Sequence, residues 1–122
     1  MAIFEVWDVV KVPFPYTDRP VRQRRPALVI AADDLQGQHG LLWLLLITSA
    51  VNRGWRGDVP ISDLTAAGLP APSIVRPAKV ATVEARDAEP LGSLPSADRT
   101  AVASYLETIL SPILRVEPGL RY

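Results

Sequence analysis

Cysteine is absent from this chain, and histidine occurs once in 122 residues. Without a thiol there is no disulfide framework, no thiolate metal site and no cysteine nucleophile. The lone histidine, His39, lies in a glycine-flanked turn and reads as a solvated turn residue. No Ser/His/Asp order and no metal-ligand spacing is visible, so neither a metal nor another cofactor is expected. Long apolar runs are missing too. The longest, Leu41 to Ile47, falls far short of the roughly 20 residues a membrane helix needs. The N-terminus carries no charged-then-apolar signal pattern. Net charge is also absent, because 13 basic residues cancel 13 acidic ones. The expectation is a soluble cytoplasmic protein, a single domain over residues 1–122 that is long enough for a hydrophobic core.

Charge that vanishes in the sum is concentrated locally. Arg19, Arg22, Arg24 and Arg25 fall within seven residues, Arg53 and Arg56 follow the second apolar run, and Arg76 and Lys79 come later. Acids gather elsewhere, at Asp33–Asp34 and across Glu84, Asp87 and Glu89. A neutral protein with one cationic face still steers a polyanion toward that face.

The elements follow from pattern. Val6 to Val12 reads as a strand ended by Pro13-Phe14-Pro15. Tyr16 to Arg25 is a polar, proline-punctuated loop, longer than a minimal connection. Ala27 to Ala32 is a second strand, broken by an acidic turn. Leu41 to Thr48 is a third, and its lack of alternation predicts burial on both faces, Trp43 included. Asp63 to Gly68 fits one helical turn, and Lys79 to Val83 a further strand after the proline-flanked Ser73–Arg76. Ser96 to Ser111 predicts the one long helix, with Ser96 as N-cap and Pro112 as its stop. Its apolar face comprises Ala101, Val102, Tyr105, Leu106, Ile109 and Leu110. Short strands without crossover helices predict a mainly β fold, a small twisted barrel covered by that helix.

Several pieces, in this order, resemble the MazF/PemK family of toxin endoribonucleases. They are Asp8 to Pro15 with Thr17-Asp18, Arg24-Arg25-Pro26-Ala27-Leu28-Val29-Ile30, and Ile47-Thr48-Ser49. Ala67-Gly68-Leu69-Pro70, Pro72 to Val83 and Gly92-Ser93-Leu94 complete the set. The resemblance implies a Src-homology-3-like barrel of the PemK/CcdB type with a C-terminal helix at about 96–111. It also implies a homodimer that cuts single-stranded RNA at short preferred sequences without a metal, and that a cognate antitoxin inhibits. Two positions depart from the family pattern: Trp7 stands where a glycine is usual, and Ala50 where many members carry glutamine.

The resemblance gives the catalytic roles to Arg25 and Thr48. An arginine fork matches two phosphate oxygens and keeps its charge, so it suits stabilisation of a phosphorane better than proton abstraction. Thr48 would orient the phosphate or the 2′-hydroxyl, and the base is unassigned. Candidate RNA contacts in the first loop are Thr17, Arg22 and Arg24. Ser49, Arg53, Arg76 and Lys79 are the later ones. Trp7 and Trp55 could stack a base or fill an interface. Two alternatives share the fold: a relative that binds RNA without cutting it, and a CcdB-like module that grips DNA gyrase. The second is disfavoured by the Gly119-Leu-Arg-Tyr122 ending in place of Trp-Gly-Ile.

Overall fold

The computed structural model describes residues 3–15 and 23–115. Strand β1 (Asp8–Pro13) pairs antiparallel with β2 (Arg24–Ala31). The second strand begins earlier than its apolar run, because Val12 and Pro13 hold Arg25 and Arg24 in register. Arg25 is therefore a strand residue and not a loop residue.

The acidic turn is a short helix, α1 (Asp33–His39). Asp33 and Asp34 occupy its first turn, where carboxylates favour the helix dipole. Gly40 closes it at φ 67°, donating to the Gln36 and Leu35 carbonyls.

Strand β3 (Leu41–Ser49) lies between β2 and β5 (Ser73–Glu84), and a two-residue β4 (Val59–Pro60) edges β5. A strand not expected from the sequence, β6 (Glu89–Ser93), pairs with the other side of β1. All neighbours run antiparallel in the order β4-β5-β3-β2-β1-β6, a curled half-barrel sheet. This is the expected mainly β architecture with a C-terminal helix.

The sheet is buried on both sides. Leu42, Leu44 and Leu46 pack on one face with Val10, Val12 and Val29. Leu45 and Ile47 pack on the other with Val9, Leu28 and Val75. Helix α2 (Leu64–Ala67), capped by the Asp63 carboxylate on the Ala66 N–H, and helix α3 (Ser96–Leu114) cover this second face. That cover stops short of Trp43, which is 47% exposed and not core as its apolar run suggests.

Proline is placed where it does least harm. Leu45 pairs with Val80 and Leu46 with Arg76, so residues 77–79 form an excursion without β3 partners. Pro77 lies in that excursion, and β5 continues through it as one strand. Helix α3 likewise runs past Pro112 to Leu114. The Thr108 carbonyl, which Pro112 cannot reach, accepts instead from Ser111 Oγ at 3.5 Å. Pro95, not Ser96, is its N-cap, without a side-chain cap. Asp98 of the first turn clamps Ser62, accepting from its N–H at 2.9 Å and its Oγ at 3.1 Å. Only the first half of the helix is seated, through Val102 and partly Leu106; Ile109, Leu110, Ile113 and Leu114 are exposed.

Trp7 takes φ 81°, the left-handed region that favours the glycine usual at this position. Its N–H donates to Val29 O and its carbonyl accepts from Leu94 N–H, both at 2.9 Å.

Candidate active site

Register brings the two leading candidates together. Ala27 pairs with Leu46 and Leu28 with Leu45. Carried two residues past Ala27, that ladder sets Arg25 opposite Thr48, their side chains on one face. Thr48 in turn pairs with Ile74, and Arg76 occupies the next position of the same face, opposite Leu46. The sheet end thus opens into a cleft of about 830 Å³ lined by Lys11, Arg25, Thr48, Ser49, Asn52, Trp55, Arg76 and Lys79. Leu69 to Ser73 form part of its wall.

Each side chain has a definite environment. Arg25 donates from Nη2 to the Gln23 carboxamide. Its Nε is buried and has no partner among the described residues. A buried donor without an acceptor is rare and invites a ligand. Thr48 Oγ1 accepts from Asn52 Nδ2 at 3.0 Å, which leaves the hydroxyl hydrogen available to the cleft. Ser49 Oγ is turned back on its own chain, accepting from Val51 N–H at 3.3 Å.

Arg76 behaves differently from a solvated phosphate contact. It is 6% exposed. Its Nε and Nη2 reach Asp58 Oδ1 and Oδ2 at 3.0 Å each, and Nη2 also reaches Asn52 O at 2.8 Å. Asp58 Oδ2 further accepts the N–H groups of Gly54 and Trp55 at 3.1 and 3.0 Å. Burial pushes the Asp58 carboxyl up, but the Arg76 bond, those two N–H groups and the Arg76 charge outweigh it. The carboxyl is held below the usual range. A chain of contacts therefore runs from Asp58 through Arg76 to the Asn52 backbone, and from the Asn52 side chain to Thr48.

Arg24, Arg53 and His39 fall outside the cleft. Arg24 is exposed and points elsewhere, donating to Lys11 O and Asp87 O at 3.0 Å and pairing with Glu89 at 3.2 Å. Arg53 is exposed after the 3₁₀ turn 50–52 and does not line the cleft. Lys79 does line it. His39 belongs to a second cavity, with Phe4 and Gln36, and not to this one. Thr17 and Arg22 lie outside the described residues. Among the described lining residues there is no histidine and no carboxylate. No cluster of three metal-ligating side chains occurs among the described residues. None of the described helices is long and apolar enough to cross a membrane.

Sequence reasoning does not single out Lys11, Asn52 or Asp58. The sole signal for Asp58 is its place in the glycine-framed turn Gly54–Asp58 ahead of an arginine-bearing strand.

Comparison with known proteins agrees with this fold. A MazF of Deinococcus radiodurans superposes with TM-score 0.74 at 22% identity, covering 91% of this chain and 99% of that one. The Mycobacterium tuberculosis toxin MazF-mt6 gives TM-score 0.64 at 21% identity, over 84% and 95%. A mycobacterial endoribonuclease in complex with its cognate antitoxin gives 0.67 at 15%, over 91% and 96%. No curated protein matches the sequence. The family model for PemK-like, MazF-like toxins of type II toxin-antitoxin systems matches residues 5–110. With most of its length so matched, the chain belongs to the PemK-like, MazF-like toxin family, known as endoribonucleases.

Proposed function

We propose that this toxin cuts single-stranded RNA by attack of a 2′-hydroxyl on the adjacent phosphorus, without a metal ion. The observation that carries the reading is Arg25, a cleft arginine whose Nε has no partner among the described residues, set across the ladder from Thr48. The 2′-oxygen bonds to phosphorus as the bond to the 5′-oxygen breaks, leaving a 2′,3′-cyclic phosphate and a 5′-hydroxyl. The 2′-hydroxyl proton leaves to a base outside the described lining, and the departing 5′-oxygen takes one up. Arg25 donates N–H bonds to the phosphoryl oxygens as their charge grows. Thr48, its oxygen already held by Asn52, gives its hydroxyl hydrogen to the phosphate and fixes the in-line geometry. Lys11 and Lys79 supply sequence-independent attraction for the strand.

The partners follow from the same surface. A cationic cleft suits an antitoxin segment rich in carboxylates, which would exclude RNA. The exposed apolar residues Trp43, Val80, Ile109, Leu110, Ile113 and Leu114 suit self-association into a homodimer. The site of action is the cytoplasm.

The test is incubation of the purified toxin, free of antitoxin, with a long RNA in EDTA, followed by mapping of the ends. Cleavage with cyclic phosphate ends, reduced about 10²–10³-fold in Arg25→Ala, is expected. Folded protein that cuts no RNA, or cuts equally well without Arg25, overturns the reading.

A further inference from the structure

Trp55 has no role in the chemistry above, yet it lines the same cleft and keeps 48% of its surface exposed. An indole left open in a cationic groove is unusual, since the ring is one of the largest apolar groups available to a core. It is also held still. The Arg76 guanidinium lies over the ring, its Cζ 4.4 Å from the centroid. That guanidinium is itself fixed by both Asp58 oxygens, and Asp58 also grips the Trp55 backbone N–H. Lys79 Nζ stands 5.6 Å from the centroid. The arrangement is a rigid flat surface, braced by one cation and flanked by another that can meet a phosphate.

We propose that Trp55 is a stacking platform for a nucleobase of the RNA whose scissile phosphate lies at Arg25 and Thr48. The proposal rests on the RNA-cleaving reading and adds a binding subsite to it. Every base presents a π face, so the platform sets the register and affinity of the strand more than the identity of the base. Arg76 thereby acts as a positioning residue. Through Asp58 it fixes the platform, and through the Asn52 carbonyl it supports the turn that holds Thr48.

The experiment uses a short RNA spanning the mapped cut site, blocked by one 2′-deoxynucleotide at the scissile position. Abasic nucleotides replace each base in turn, and dissociation constants are measured for the wild type, Trp55→Phe and Trp55→Ala. One position should cost the wild type about 5- to 150-fold when its base is removed. Trp55→Ala should weaken the intact strand by a similar factor and be indifferent to base removal at that position. Trp55→Phe should retain most of the penalty. Trp55→Leu, which keeps apolar bulk beneath Arg76 without a flat ring, replaces the alanine variant if that one fails to fold. Abasic penalties unchanged in these variants overturn the platform alone. Variants that sediment as smaller species than the wild type also overturn it, placing the ring between copies of the chain. Wild-type protein that binds no RNA removes the parent reading and the platform together.

Discussion

Removing the Asp58 carboxylate is the most searching test of how this cleft is built. In Asp58→Ala the Arg76 guanidinium stays buried, with only the Asn52 carbonyl to accept from it. Gly54 and Trp55 N–H lose their acceptor as well. Both side chains of the pair are 8% exposed, so screening by solvent is slight. Breaking a buried pair from one side costs about 3–5 kcal/mol, whereas an exposed pair is worth about 0.2–1 kcal/mol. Against a whole-domain stability of about 5–15 kcal/mol, the loss is a large fraction. It corresponds to a fall in Tm of roughly 10–20 °C. Urea unfolding at one fixed protein concentration measures it, since self-association makes apparent stability depend on concentration. Arg76→Met in the same background should restore part of the loss, because it withdraws the orphaned charge. A cost below about 1 kcal/mol for Asp58→Ala, with an unchanged m-value, would refute the view that this pair anchors the cleft.

Acid should act through the same carboxyl. Its folded pKa lies below its unfolded one, so its contribution is complete above the ordinary carboxylate range and lost as pH falls through the folded value. Between about pH 6 and pH 3, Asp58→Asn should lose less stability than the wild type does; parallel losses would contradict this. Gly68 holds φ 72°, and a Cβ there would sit 2.0 Å from Leu91 O. Gly68→Ala should therefore cost at least about 1–2 kcal/mol in thermal melts, from backbone strain alone. Gly37→Ala, where an added Cβ meets open space within α1, should be neutral or stabilising by about 0.5–1 kcal/mol. Thr48→Val should lower kcat about 10²–10³-fold with little change in melting temperature, and wild-type turnover in that variant would exclude the hydroxyl from the reaction.

Much of this was legible in residues close together in sequence. The runs at Ala27 and Leu41 specify strands by their length and apolar content, and antiparallel register then brings Arg25 to Thr48. What stayed hidden depends on partners far along the chain. Trp43 reads as core because its run never alternates, but whether α3 reaches over it is not written in the run. Pro77 reads as a strand break because a ladder normally excludes it, and the excursion that spares β5 exists only relative to β3. The Asp58–Arg76 pair joins residues 18 apart, one in the turn before β4 and the other in β5, and either alone looks like a surface charge. The short helix α1 was concealed by the glycine in its middle.

The excursion at residues 77–79 also acts as a phase shifter. In an uninterrupted strand Arg76 and Val83, seven positions apart, would point to opposite sides. Here they share one side, Arg76 opposite Leu46 and Val83 opposite Leu42. Only an odd number of extra residues accomplishes this. Loss of one residue would leave the two positions six apart, where strict alternation alone sets them on one side and no flip is needed. The three-residue excursion is therefore what reconciles an odd spacing with a strand whose cleft half and core half must stay in phase.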